Sequence, residues 1–414
     1  MNGKIADPSL SSEGEVSYQW AYNHMDALTK TIENAAGATP LQGRRVAVCL
    51  HVTKETSVLI MGLKKLGGDV YLCGANPLTT QDDIAAYLSS SGITVHAWRG
   101  QSTGEYVDSI KIILRNNPDI IMDDGSDLHS TIHQEDEFSN LQIIGGTEET
   151  TTGVTRINAL EKSGLLKYPI IAVNNAQTKH LFDNRYGTGQ STFDGILRAT
   201  SLLMAGKKVV VCGYGWVGRG IARRASGLDA HVIVTEVDPV KALEAHMDGF
   251  EVMTMGEAAK YGDLFITTTG QTGIIRGEHM DVMKSGAIMA NAGHFDVEVD
   301  VKYLEQNKVE KKRVRPFVDE YSLKNGSRLY LIGEGRIVNL VAAEGHPAEV
   351  MMMSFSNQLL SAVHIAKNYE ILEKKVYNVP DEIDGQVARN ALHAMGVNVD
   401  KPTQEQMSYV ESWR

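Results

Sequence analysis

The sequence predicts an α/β protein made of two doubly wound parallel-sheet domains separated by a cleft, with a small helical C-terminal tail. Three observations carry that expectation. Short β-branched and aliphatic runs alternate with helix-period stretches from Arg45 to Val173, and a second such alternation runs from Val209 to Leu331. Alternation of this kind argues for a parallel sheet wrapped by helices. A chain of 414 residues also exceeds one typical core, so two or three domains are expected.

Taken in order, residues 1 to about 40 read as mostly helical, with Trp20, Tyr22, Met25 and Leu28 as an apolar stripe. Strands follow at Val46–Leu50, Val70–Cys73, Thr94–Trp98, Ile120–Met122, Gln142–Ile144 and Ile170–Val173, with helices between them such as Thr56–Leu66 and Val107–Arg115. A helical connection, Ser191–Leu203, leads to the second set of strands at Val209–Cys212, Val232–Thr235, Leu264–Thr267, Ala287–Ala290 and Arg328–Leu331. Gly345-His-Pro347 breaks that unit, and Ala348–Lys367 then reads as one long apolar helix whose Met351, Met352 and Met353 suit packing or subunit contact. The tail has helical pieces at Asp384–Met395 and Gln404–Trp413, expected to dock on a partner subunit or on the cofactor domain.

Composition narrows the function. The chain is 43% hydrophobic and 22% charged, with a formal net charge of −11, which argues against nucleic acid as a partner. The one dense basic run, Lys308 to Arg315, includes Glu310 and reads as a solvated face. Cys49, Cys73 and Cys212 sit in or beside apolar strands without metal-ligand spacing; buried reduced thiols in a cytoplasmic protein, and no metal, are expected. The N-terminal residues do not read as a signal peptide. No run approaches the ~18 apolar residues of a membrane helix.

Val209 to Gly220 carries the sharpest motif. A β-branched run enters a turn with Gly213, Gly215 and Gly218, a helical stretch with Trp216 and Val217 at its start follows, and a second strand ends in Glu236, 18 positions after the third glycine. The first glycine permits the turn, the second lets a pyrophosphate approach the backbone, and the third lets helix and strand pack closely. A carboxylate at Glu236 would accept from adenosine ribose hydroxyls and repel a 2′-phosphate, so the reading is NAD rather than NADP. Ligands of such sheets bind beyond the carboxyl ends of the strands. The polar residues there are His51, Thr53, Glu55, Asp123, Asp124, Glu148 to Thr152, Asn174, Asn175, Thr267 to Thr269, Asn291 and His294. Their density predicts a cleft with cofactor on one wall and substrate on the other.

Nine blocks in order resemble the S-adenosylhomocysteine hydrolase family over nearly the whole chain. They are His51-Val-Thr-Lys-Glu55, Asp123-Asp-Gly125, Glu148-Glu-Thr-Thr-Thr-Gly153, Thr178-Lys-His-Leu-Phe-Asp-Asn184, Tyr186-Gly187, Gly213 through Gly220, Asn291-Ala-Gly-His-Phe-Asp296, Glu334-Gly-Arg-Ile-Val-Asn339 and Gly345-His-Pro347. The resemblance implies two Rossmann-like domains: a substrate-binding domain over 1–187 and 347–380, an NAD-binding domain over 188–346, and a tail over 381–414 that serves oligomerisation or covers the cofactor. It also implies a cytoplasmic homotetramer or dimer that hydrolyses S-adenosyl-L-homocysteine reversibly to adenosine and L-homocysteine. In that reaction tightly bound NAD oxidises the ribose 3′-hydroxyl and the acidified 4′ proton is removed. Homocysteine then leaves by β-elimination, water adds, and the ketone is reduced again.

Roles implied by the same resemblance fall on particular residues. Lys179 and Asp183 bind the ribose hydroxyls, Lys179 assisting removal of the 3′-hydroxyl proton with a pKa lowered by burial beside the nicotinamide. Asp124 and His51 handle the 4′ proton and the water or thiol, in an order left open. Glu149 fixes a ribose hydroxyl and His294 lies against the nicotinamide side. Asn184 and Asn339 hold the cofactor's amide end, and Thr150, Thr151, Thr152 and Thr268 join the cofactor contacts. Thr53, Glu55 and Gln81 are the implied contacts to the base edge, and His346 touches the purine at the hinge. On the residues alone, Lys179 also reads as a solvated helix lysine, Asp124 as a turn aspartate and His346 as a turn histidine.

Three departures bear on these expectations. Thr188 stands where animal members carry a cysteine, and Glu344 where they carry a methionine facing the purine. The chain ends at Ser412-Trp-Arg414 without the Lys/Tyr tail of longer members, and is short around Tyr369–Pro380 like the compact archaeal and thermophilic-bacterial forms. Some compact members act on S-inosyl-L-homocysteine, the alternative substrate; Glu55, an acceptor, suits an adenine amine better. An NAD-dependent hydroxy-acid dehydrogenase is a further alternative, and a non-catalytic relative is disfavoured by retention of Lys179, Asp183, Asp124, His51 and His294.

Overall fold

Residues 3–413 are described by the computed structural model; Met1, Asn2 and Arg414, the last of which closes the expected C-terminal end, lie outside the described residues. The first half supplies β1 Arg45–Leu50, β2 Asp69–Gly74, β3 Thr94–His96, β4 Ile120–Asp123, β5 Gly145–Glu148 and β6 Ile170–Ala172. The second supplies β7 Lys208–Cys212, β8 His231–Thr235, β9 Glu251–Val252, β10 Leu264–Thr267, β11 Ile288–Asn291, β12 Lys308–Arg315, β13 Val318–Leu323 and β14 Arg328–Ile332, before β15 Val376–Asn378 returns to the first sheet. The sheets run β15-β6-β5-β4-β1-β2-β3 and β12-β13-β14-β11-β10-β7-β8-β9. All pairings are parallel except β12 with β13 and β13 with β14. Both sheets are therefore doubly wound, as the alternation predicts.

The strand order reverses between β1 and β4 in the first sheet and between β7 and β10 in the second, whose β12, β13 and β14 run back from the far edge. At such a point the connections leave in opposite directions and a crevice opens beyond the strand ends. The first crevice receives His51 and Asp124, the second Gly213 and Thr268. Apolar side chains cover both faces of the sheets: Val46, Val48 and Leu50 pack one way from β1, Ala47 and Cys49 the other, all buried. The cysteines are free and buried.

Several elements differ from the sequence reading. The strand expected at Gln142–Ile144 lies at Gly145–Glu148, made of two glycines and two polar residues. Propensity disfavours that composition, but packing requires it. A Cβ on Gly145 would stand 2.7 Å from Ile365, and one on Gly146 2.5 Å from His129. The run Lys308–Arg315 is exposed as expected, yet it is an edge strand, with its charges as the guard against further pairing. The N-terminal stripe holds at Met25 and Leu28 but not at Trp20, which is 61% exposed and stacked on His24. The tail is not one unit. Its first helix, Asp381–Ala394, buries Val387 and Ala391 in the first-half core, and Asp384 accepts from the backbone of Gln177 and Thr178. The helix Gln404–Glu411 buries no residue.

Candidate active site

A cleft of about 1450 Å³ lies between the strand ends of the two sheets. It is lined by every candidate residue except Gln81 and Gly218. Gln81 makes its contacts within the protein. Its amide oxygen accepts from the Lys54 backbone at 2.9 Å and its nitrogen points to the Glu344 carbonyl at 3.5 Å. It holds the start of the helix Lys54–Lys65, whose N-cap is Thr53. Gly218 acts from beneath the lining.

On the second wall the glycine turn can take a dinucleotide phosphate. Gly213 has φ +108°, a region favouring glycine. A Cβ on Gly218 would sit 2.0 Å from the Gly213 carbonyl oxygen, so strand and helix meet only through glycine, whereas a Cβ on Gly215 would meet no atom within 4 Å. That open space faces the N-terminus of the helix Trp216–Gly227, where unpaired N–H groups favour an anion. Glu236 follows β8 directly and accepts from the backbone N–H of Tyr214, Val237 and Asp238, which fixes its carboxylate beside the turn. Thr268 donates to the Cys212 carbonyl at 2.8 Å, while the following turn is held by buried Glu298, which accepts from Thr269 and Gly270. Asn339 donates to Ser191, and its buried Oδ1 has no partner within the described residues. The residues present thus fit a bound NAD: an open phosphate turn, a ribose acceptor and an orphaned amide acceptor.

On the first wall Lys179 is buried. Its Nζ donates to Asn184 Oδ1 at 3.0 Å and Asn174 Oδ1 at 3.4 Å, and lies 3.6 Å from Asp183 and 4.0 Å from Glu149. Burial disfavours its charge, but the carboxylates of Asp183, Glu149 and Asp124 outweigh that, and its pKa is raised. The lowered value expected beside a nicotinamide is therefore not a property of the protein alone, whose own groups hold the proton on Lys179. Burial also acts against ionised Asp183, but Lys179 and His346 hold its carboxyl well below the ordinary range. Burial pushes Glu149 up to about 8, and its Oε1 has no hydrogen-bond partner within the described residues. Asn184, expected at the cofactor amide, is here the partner of Lys179. His346 uses both ring nitrogens within the protein, Nδ1 at 3.2 Å from Asp183 and Nε2 at 3.2 Å from Thr188 and Asn339. Asp183 to Gly187 form a π-helical turn, an irregularity frequent at functional sites.

Between the walls stands Asp124. His51 Nε2 lies 3.6 Å from one carboxylate oxygen and His294 Nδ1 3.6 Å from the other. His51 is fixed by Thr79 at 2.8 Å through Nδ1, and burial pushes its pKa down to about 4, leaving a neutral ring able to accept or relay a proton. His294 is placed by Asn291, whose side chain is saturated by Thr267, Gly293, Phe295 and Gly335. Its Nε2 is buried without a partner within the described residues. Gly125, at φ +102°, leaves the space this ring needs; a Cβ there would meet His294 at 2.4 Å. Thr151 and Thr152 open the helix Thr151–Lys162, and Thr152 Oγ1 comes within 3.1 Å of a Cβ position on Gly270 across the cleft.

Four contributors escaped the sequence reading: Thr79, Glu298, Ser354 and Gln358. Ser354 donates to Asp183 at 2.8 Å and Gln358 to Glu149 at 2.5 Å, both from the long helix Ala348–Asn368. Their signal was present, for two polar residues four apart in an apolar helix share a face.

Comparison with known proteins agrees with this geometry. A family model described as S-adenosyl-L-homocysteine hydrolase matches residues 2–145, and one described as the NAD binding domain of S-adenosyl-L-homocysteine hydrolase matches residues 184–345. The chain is 57% identical over 415 residues to a protein named adenosylhomocysteinase from Saccharolobus solfataricus, covering 100% of this chain and 99% of that one. It is 57% identical over 411 residues to the adenosylhomocysteinase of Aeropyrum pernix, covering 99% of each. It is 52% identical over 411 residues to a protein of Methanocaldococcus jannaschii named S-inosyl-L-homocysteine hydrolase, again covering 99% of each.

Proposed function

The chain belongs to the S-adenosyl-L-homocysteine hydrolase family, and from that membership we propose that it hydrolyses S-adenosyl-L-homocysteine reversibly to adenosine and L-homocysteine. The observation that carries the proposal is the meeting of Asp124, His51 and His294 between a lysine–carboxylate cluster on one wall and a dinucleotide turn on the other. Bound NAD supplies reversible oxidation of the ribose 3′-hydroxyl, which acidifies the neighbouring 4′ carbon.

The chain's own residues do the rest. Asp183 and Glu149 accept from the ribose hydroxyls, and Lys179 holds the 3′ oxygen and its proton. Lys179 would take that proton more readily once a cationic nicotinamide, held by the glycine turn and Asn339, opposed the charge on its ammonium. Asp124 and His51 move the 4′ proton and then the proton of the added water or departing thiol; His294 keeps the Asp124 carboxylate aimed into the cleft. Thr150, Thr151 and Thr152 reach the cofactor from the first wall, so closure and cofactor contact are linked, and closure keeps bulk water from the ketone. Residues 1–187 with 347–380 form the substrate wall and 188–346 the cofactor wall.

Glu55, buried beside Thr53, faces the base as an acceptor and favours the 6-amino group of adenine. The inosyl substrate is the second reading, favoured by Lys54, whose Nζ stands 3.3 Å from Glu55 and offers a donor to a 6-oxo group. The enzyme is read as a cytoplasmic homo-oligomer, dimer or tetramer, supported by the exposed Met407, Tyr409 and Val410 of the last helix. No helix among the described residues is long and apolar enough to cross a membrane. The test is thiol release from each nucleoside thioether by purified protein with no NAD added. Release from the adenosyl substrate is expected. Release from the inosyl substrate alone moves the assignment to the second reading, and release from neither overturns both.

A further inference from the structure

Glu344 precedes the hinge turn at Gly345-His346. Its two carboxylate oxygens reach cations on different elements: Lys54 Nζ at 3.0 Å and Arg198 Nη1 at 3.0 Å. The same Lys54 Nζ lies 3.3 Å from Glu55 Oε1. One ammonium is therefore shared between a carboxylate that faces the base and a carboxylate that does not. Lys54 and Glu344 line a second cavity of about 960 Å³, which has Glu55 and His346 in common with the main cleft. Lys54 stands on the second cavity beside Glu55, which both cavities share.

We propose that Glu344 sets the base preference by competing with Glu55 for the Lys54 ammonium and so loosening the Lys54–Glu55 pair. This rests on the proposed nucleoside-thioether activity and deepens it. The chemistry lies in the edges of the two purines. Adenine presents an N6 amine donor and an N1 acceptor, and a carboxylate at Glu55 that is not spent on Lys54 accepts from the amine. Hypoxanthine presents a 6-oxo acceptor beside an N1–H donor, and a Lys54–Glu55 pair is the complementary donor and acceptor. Whichever edge fits leaves the other with a buried polar group unpaired, and such mismatches discriminate strongly. Glu344 acts as an element set against the wrong base. The Lys54 side chain is 15% exposed and Glu55 2% exposed, so the choice is made where water does not substitute for a missing partner; Glu344, at 55%, reaches in from the rim. Glu344 is a positioning residue acting through Lys54, and Arg198 holds its other oxygen.

The test uses holoenzyme with S-adenosyl- and S-inosyl-L-homocysteine and thiol release as readout. Glu344→Gln keeps size and removes charge; the adenosyl-to-inosyl ratio of kcat/KM is expected to fall about tenfold, in line with one hydrogen bond to a charged group. Lys54→Met removes the ammonium, and adding Glu344→Gln to it is expected to leave the ratio unchanged. A ratio unmoved by Glu344→Gln, with both substrates slowed alike, would show a hinge effect and overturn the proposal. An undiminished shift in the Lys54→Met background would overturn it too. The wild-type ratio judges the functional reading and the change on substitution judges Glu344, so the two fail separately.

Discussion

His51 and His294 approach opposite oxygens of one carboxylate, that of Asp124, each at 3.6 Å and each from a different sheet. A proton acceptor flanked in this way is held in one orientation and can exchange a proton through neutral His51. Asp124→Asn keeps the shape and removes the basicity. Turnover is expected to fall by about 10²–10⁴-fold, the usual worth of a positioned general acid or base. NAD content, measured after denaturing the protein, is expected to stay stoichiometric. Loss of cofactor together with activity would instead assign Asp124 to the architecture of the cleft.

Lys179 lies among Asp183, Glu149 and Asn184, and its proton is held more firmly than on an ordinary lysine because the carboxylates outweigh burial. Lys179→Ala should abolish turnover while leaving NAD bound, since no part of the glycine turn depends on it. Single-turnover absorbance at the reduced nicotinamide band reads the first step directly. Formation of reduced cofactor at the wild-type rate would refute the role assigned to Lys179.

Two glycines of one turn should respond in opposite ways. A Cβ on Gly215 meets no protein atom within 4 Å, and its φ of −71° suits any residue. With NAD removed from both proteins, Gly215→Ala should therefore keep the wild-type melting temperature, while NAD binding weakens because the methyl fills the space a pyrophosphate needs. A Cβ on Gly218 meets the Gly213 carbonyl oxygen at 2.0 Å, so Gly218→Ala should destabilise the fold itself by about 1–3 kcal/mol. Equal melting temperatures for the two variants would contradict this division.

The same contrast shows what the sequence makes legible. The glycine turn, the strand-end acids and histidines and the central parallel strands of both sheets follow from local pattern, since each needs only its own neighbours to be recognised. Gly145 to Glu148 did not read as a strand because its reason is tertiary, the close approach of Ile365 and His129 to bare backbone. Ser354 and Gln358 were absorbed into an apolar helix for the same reason: their partners, Asp183 and Glu149, are far away in sequence. The opposing pull on Lys179 was not legible either, because three carboxylates that only the fold assembles raise its pKa in the protein itself.

Beneath the site, His129 is fully buried, with Nδ1 at 3.0 Å from the Tyr168 hydroxyl and Nε2 at 3.2 Å from the Thr147 carbonyl. Burial pushes its pKa down to about 3, against about 6.5 for an exposed imidazole. From about pH 6.5 down to that value the unfolded chain takes up a proton the folded chain refuses, so stability falls as pH falls. His51, pushed down to about 4, adds to this acid limb. Asp123 works in the other direction. Burial raises its carboxyl to about 8, so its contribution is complete below the ordinary carboxylate range and is lost as pH rises toward 8. His129→Gln keeps a donor and an acceptor without a titrating group. It is expected to be less stable than the wild type at pH 7, and the gap, read by denaturant melts, should narrow steadily toward pH 4. Parallel stability curves would mean that the buried imidazole accepts its proton in the fold and that the acid limb arises elsewhere.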